Sequence, residues 1–128
     1  MIEKLIDLQK NSYSPYSHYA VSAIAVMKDG VEFNGVNVEN ASFGATICAE
    51  RSAILSAITA GYTKGDFKEL YVMVSSGKIG TPCFECRQVI TELMNQDTPI
   101  HCLSKTGEEK IYTVKELCPY PFGEDDLV

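Results

Sequence analysis

Basic charge is in short supply. The chain has 11 Lys and Arg against 17 Asp and Glu, a formal net charge of −6. A protein that reads the phosphates of a polynucleotide carries a basic footprint, and none exists here. A small neutral substrate is compatible with this charge. Long apolar runs are also missing, so nothing approaches the ~20 residues of a membrane span. The opening Met1-Ile2-Glu3-Lys4 alternates apolar and charged residues and does not read as a signal peptide. There is no internal repeat and no low-complexity stretch. What remains is 128 residues, enough for one domain spanning 1–128 around one hydrophobic core. The 5 cysteines make an odd count. With no signal, a cytoplasmic, reducing compartment is expected, where cysteines serve as metal ligands, catalytic thiols or core residues rather than disulfides.

Hydrophobic spacing predicts the elements. Ile2, Leu5, Ile6 and Leu8 recur at helical intervals, predicting a helix over 2–13 that Pro15 ends. Tyr19 to Met27 is apolar and β-prone enough for a buried strand. Asp29-Gly30 is a hairpin signal, and Val31 to Val36 alternates as the partner strand should. Residues 37–47 read as a long loop, of a length that is often functional. A helix over 48–60 closes at Gly61, and Glu69 to Ser75 is a short apolar strand of the parallel type. Thr81-Pro82 is read as N-cap and first residue of a helix over 82–94. Strands are expected at 100–103 and 111–114, a helical turn at 114–117, then an irregular tail. This order implies an α/β fold with a mixed sheet flanked by helices.

Two segments carry the chemistry, Thr46-Ile47-Cys48-Ala49-Glu50-Arg51 and Thr81-Pro82-Cys83-Phe84-Glu85-Cys86-Arg87. Both fall at predicted helix starts. Cys83 and Cys86, three apart, share one helix face. A helix N-terminus favours the thiolate, the form that binds metal. Cys48 supplies a third sulfur if the two helix starts face each other. Three protein ligands leave a fourth zinc position open for water, the catalytic arrangement. Glu50, in the first turn, can reach the same space. Three thiolates outweigh the charge of Zn²⁺, so Arg51, Arg87 and the helix N-termini are candidates to offset it. Spacing alone leaves alternatives open: a Cys83–Cys86 redox pair, or half of a structural zinc site completed by Cys102 or Cys118. The combination of Cys-Ala-Glu with Pro-Cys-x-x-Cys favours the zinc-deaminase arrangement.

The chain resembles the small homotetrameric cytidine deaminases over nearly its full length. The resemblance is carried by Tyr13-Ser14-Pro15-Tyr16-Ser17-His18-Tyr19, Gly35-Val36-Asn37-Val38-Glu39-Asn40-Ala41, Thr46 to Ile54, Pro82-Cys83 with Cys86-Arg87-Gln88-Val89-Ile90, and Phe122 to Leu127. It implies a cytidine deaminase-like fold, with a five-stranded mixed sheet in α-β-α layers. It implies one zinc per subunit on Cys48, Cys83 and Cys86, and Glu50 as proton shuttle. It further implies Asn37 and Glu39 as the pair that binds the ribose 3′-hydroxyl, a role their two-residue offset permits on an extended segment. By the same resemblance the Ala49 N–H and Thr81 C=O read the base edge, Tyr19 lies near the base, and Phe122 stacks on it from a neighbouring subunit.

Several positions depart from that family's habit. Phe84 replaces a usual Gly and Glu85 adds negative charge near the metal. Phe43 stands for a frequent Tyr, Ser22 for a usual Gly, and Tyr120-Pro121 for a smaller pair. His18 and His101 have no assigned chemistry and are expected to be structural or exposed. The implied activity is hydrolytic deamination of cytidine and 2′-deoxycytidine in pyrimidine salvage, with no polynucleotide or membrane partner. Competing readings are a blasticidin S-type deaminase, which Asn37 and Glu39 disfavour, and a non-catalytic zinc scaffold, which has no use for Glu50.

Overall fold

The computed structural model describes residues 1–127; Val128, included in the expected span 1–128, lies outside the described residues. A five-stranded sheet with order β2-β1-β3-β4-β5 organises the chain. The strands are β1 (Val21–Met27), β2 (Glu32–Val36), β3 (Phe67–Val74), β4 (Pro99–Ser104) and β5 (Glu109–Thr113). β3 and β4 are parallel, and the other neighbouring pairs are antiparallel. The helices are α1 (Ile2–Gln9), α2 (Ala49–Thr59), α3 (Phe84–Leu93) and α4 (Val114–Leu117). The mixed sheet between helical layers is therefore as the sequence predicts.

β1 is buried on both faces, which explains its unbroken apolar run. Ala23, Ala25 and Met27 join the core with Ala53, Ile54 and Ala57 of α2 and Ile90 of α3. Ile24 and Val26 face the other way, packing with Leu5 of α1 and with Met73 and Leu103. Ser22 lies on that second face and donates its hydroxyl to the Leu5 carbonyl at 2.7 Å, so the departure from glycine fastens α1 to the sheet. His101 is likewise structural. It lies between Glu69 (2.9 Å) and Glu109 (3.3 Å) and stacks on Tyr71, tying β3, β4 and β5 across the sheet.

Several strand ends shift by one or two residues from the sequence-based expectation, and two helix boundaries that differ matter to the site. α1 ends at Gln9 rather than at residue 13. Tertiary pairing wins there: Tyr13 N–H donates to the Asn37 carbonyl and Glu39 N–H to the Tyr13 carbonyl, forming a short parallel bridge. α3 begins at Phe84, with Cys83 rather than Thr81 as its N-cap. The first helical hydrogen bond runs from Arg87 N–H to the Cys83 carbonyl at 2.9 Å, while the Arg87 side chain holds the Pro82 carbonyl outside the helix at 2.7 Å.

Candidate active site

α2 and α3 start in the same way. Each has a cysteine at its N-cap, Cys48 and Cys83, and neither sulfur accepts a capping hydrogen bond. The sulfurs are turned instead toward one another, 3.8 Å apart, and Cys86 completes a triplet whose sulfurs all lie within 4.8 Å. Gly35 makes this placement possible by letting α2 lie directly on β2. A Cβ there would sit 2.6 Å from the Ala53 nitrogen and closer still to the Ala49 carbonyl.

The donor set fits a zinc ion. Tetrahedral ligands at about 2.3 Å stand about 3.8 Å from one another, the separation seen between Cys48 and Cys83. Arg51 donates through Nη2 to the Cys48 sulfur at 3.3 Å, and its buried Nε–H has no hydrogen-bond partner. A cation held against sulfur in this way calls for thiolates. The Cys48 thiol is pulled down to about 5, chiefly by a hydrogen bond from Cys86 and also by Arg51. Cys86 is pushed up by the bond it makes to Cys48 and by burial. Cys102 and Cys118 stay outside the triplet, which removes the structural four-sulfur alternative among the described residues. Burial lifts the Cys102 thiol to about 12, as suits a core residue. All 5 cysteines are free thiols in this structure.

Glu50, in the first turn of α2, is 5% exposed. Burial raises its carboxyl to about 7, the negative charge on Cys48 adds to the rise, and Arg51 opposes it. The carboxyl lines a cavity of about 330 Å³ together with Cys48, Cys83, Ala49, Thr81 and Tyr19. Asn37 and Glu39 close the same cavity. The Asn37 amide accepts from Val21 N–H and Ser12, and donates to the Tyr19 carbonyl at 2.7 Å. Glu39 accepts from the amides of Tyr16 and Ser17 and from the Ser17 hydroxyl, and these bonds hold its carboxyl below the ordinary range.

Some expected residues stand apart. The Arg87 guanidinium donates to none of the triplet sulfurs; it donates to the Pro82 and Leu117 carbonyls and to Thr81 Oγ1, and lies over the Phe84 ring at 4.4 Å. It shapes the Thr81–Cys83 backbone, whereas Arg51 is the cation on the sulfurs. Glu85 turns outward, 3.7 Å from Arg51. Phe122 does not line its own chain's cavity; its carbonyl accepts from Gln88, and its ring lies beside Phe84 and the tail. Ser17 and Thr46 line the cavity without having been assigned roles. Ser17 was visible within the Ser-Pro-Tyr-Ser-His-Tyr motif, but its partner Glu39 is 22 residues away, so no local pattern joins them.

The profile of the cytidine and deoxycytidylate deaminase zinc-binding region matches residues 1–102. The chain is 37% identical over 127 residues to a cytidine deaminase of Halalkalibacterium halodurans, covering 99% of this chain and 95% of that one. It is 36% identical to a cytidine deaminase of Sporosarcina psychrophila, covering 98% and 94%. A crystal structure of cytidine deaminase from Burkholderia pseudomallei superposes with a TM-score of 0.91 at 37% identity, covering 94% of this chain and 95% of that one. A family profile over residues 1–102, 37% identity along nearly the whole chain and a shared fold leave one assignment: the chain belongs to the cytidine and deoxycytidylate deaminase zinc-binding family.

Proposed function

We propose that this chain is a single catalytic unit that hydrolytically deaminates cytidine and 2′-deoxycytidine to the uridines, releasing ammonia. One observation carries the reading. A nucleoside-sized cavity is lined by Glu50, by Cys48 and Cys83 of the cysteine triplet, and by Asn37 and Glu39. Cys48, Cys83 and Cys86 would hold a zinc ion, which when bound would supply activated water near neutral pH. Glu50 takes the proton of the water that attacks C4 of the cytosine ring. It delivers that proton to N3, then takes the remaining proton of the hydroxyl added at C4 and passes it to the amine, so that the C4–N bond breaks, the C4 carbonyl forms and ammonia leaves. A carboxyl lifted to about 7 by burial can both take and give a proton near neutrality.

The remaining roles follow from free donors and acceptors. Ala49 opens α2, so its N–H is one of the amides a helix leaves unpaired, available to a carbonyl on the base. Thr81 is anchored through its hydroxyl by Arg87 at 2.7 Å, which steadies the carbonyl that receives the base amine. Tyr19 flanks the base, in space that Gly80 leaves open. Asn37 keeps one amide hydrogen for a ribose oxygen, and Glu39 keeps acceptor capacity for a ribose hydroxyl. We assign the active form as a cytoplasmic homotetramer serving pyrimidine salvage, each site receiving Phe122 from a neighbour. No helix among the described residues is long and apolar enough to cross a membrane.

The test follows ultraviolet absorbance with cytidine, deoxycytidine, cytosine and blasticidin S. Turnover of the two nucleosides is expected; turnover of blasticidin S alone overturns the reading. Glu50→Gln is expected to retain zinc and lose ~10²–10⁴-fold in rate. Near-normal turnover by that variant removes Glu50 from the chemistry.

A further inference from the structure

The Ser12–Tyr19 segment is laced to the cavity more heavily than a connecting turn requires. His18 N–H donates to the Ser14 carbonyl at 3.0 Å, and His18 takes a left-handed φ of 57°, closing a tight turn that Pro15 begins. That turn aims two successive amides, Tyr16 and Ser17, at one oxygen of Glu39, at 3.0 and 3.1 Å. Converging backbone N–H groups of this kind receive an anion. The Ser17 hydroxyl then donates to the other Glu39 oxygen. The same hydroxyl accepts the Tyr19 N–H at 3.0 Å.

Counting lone pairs shows what this does. A carboxylate offers about four acceptor positions. Oε1 spends both of its own on the two amides, and Oε2 spends one on Ser17. One position is left, on a carboxylate that cannot rotate without breaking three bonds. Glu39 lines the cavity, so that position serves one hydroxyl in one direction. Ser17 lines the same cavity. Among the described residues, its hydroxyl is the one side-chain group joined both to the carboxylate and to the backbone of Tyr19.

We propose that Ser17 is a positioning residue for sugar recognition: its hydroxyl fixes the Glu39 carboxylate, and so gives the enzyme its demand for the ribose 3′-hydroxyl. The proposal rests on the reading of Glu39 as a sugar contact. Ser17 touches neither zinc nor the reacting carbon, so its effect belongs to sugar binding. Removing the hydroxyl frees Oε2 to rotate and leaves the amides to hold Oε1 alone.

The experiment compares cytidine with 3′-deoxycytidine in wild type, Ser17→Ala and Ser17→Thr, each checked for zinc content. Wild type is expected to prefer cytidine clearly. In Ser17→Ala, kcat/KM for cytidine should fall roughly tenfold, the scale of a lost bond to a charged group, mainly through KM. For 3′-deoxycytidine the fall should be under about threefold, so the preference collapses. Ser17→Thr, which keeps the hydroxyl, should restore it. Equal losses on both substrates, whether from misfolding or from a general site defect, overturn the proposal. So does an unchanged preference in Ser17→Ala, which leaves the Glu39 reading standing. A wild type indifferent to the 3′-hydroxyl overturns both.

Discussion

At the scale of single residues, Arg51 answers a problem of charge. Three thiolates around a divalent ion would leave the centre net negative, which would weaken the ion as a Lewis acid and make its water harder to deprotonate. Arg51 offsets this from 3.3 Å, and its own proton is held more firmly because the sulfurs face it. The side chain is 17% exposed, so the interaction is only partly screened. Arg51→Ala is therefore expected to weaken zinc retention or rate by ~10–100-fold. Competition with a chelator of known affinity measures the first, and nucleoside turnover the second. If both stay at wild-type values, the helix N-termini alone balance the sulfurs. Arg87 is no substitute, since its guanidinium is held by Pro82, Leu117 and Thr81 and donates to none of the three sulfurs.

At the scale of elements, the start of α2 depends on one missing methyl group. Gly35 is not a turn glycine; it is the point where β2 passes under the helix backbone. A Cβ would meet a backbone nitrogen at 2.6 Å, and no rotamer change relieves a backbone clash. Gly35→Ala is expected to cost about 3 kcal/mol, at the upper end for overpacking. Urea unfolding should show a lower midpoint with an unchanged slope, and residual folded protein should bind zinc poorly because Cys48 is displaced. A wild-type midpoint contradicts the close approach. The same scale shows why some features were legible in the sequence and others were not. The strands, their mixed arrangement and the Cys83–Cys86 pair follow from periodicity and short spacing, which local physics controls. Where α1 ends does not, because Tyr13 leaves the helix to pair with Val38, a partner known only after folding. The start of α3 does not follow either: Thr81-Pro82 has the chemistry of a cap, yet Arg87 holds the Pro82 carbonyl aside and Cys83 caps the helix. Ser17 was visible only as part of a motif, since the carboxylate it orients is distant in sequence.

At the scale of the whole molecule, large apolar side chains remain in the open. Phe84 is 75% exposed, Phe122 55% and Tyr120 fully so, and they cluster around the tail and the start of α3. A shared-site tetramer would cover them and would bring Phe122 to a neighbour's base, where a stacked ring contributes ~0.5–1.5 kcal/mol beyond area burial. Light scattering is expected to report four times the chain mass. Mixing Glu50→Gln subunits with Phe122→Ala subunits should restore part of the activity, because some sites in mixed assemblies have both residues intact. A monomer, or no rescue after demonstrated exchange of subunits, rules out shared sites. The cysteine triplet has a mechanical side as well. Cys48 and Cys83 lie 35 positions apart and head two helices that share one face of the sheet. An ion bound between them is a rivet through a seam, with the sheet behind it clamped by its own ladders and by His101. Stripping the metal should therefore loosen the seam first. Amide hydrogen exchange in the chelated protein is expected to quicken at 49–52 and 84–87 while β1 and β3 stay protected, so that the molecule unzips from its active site outward.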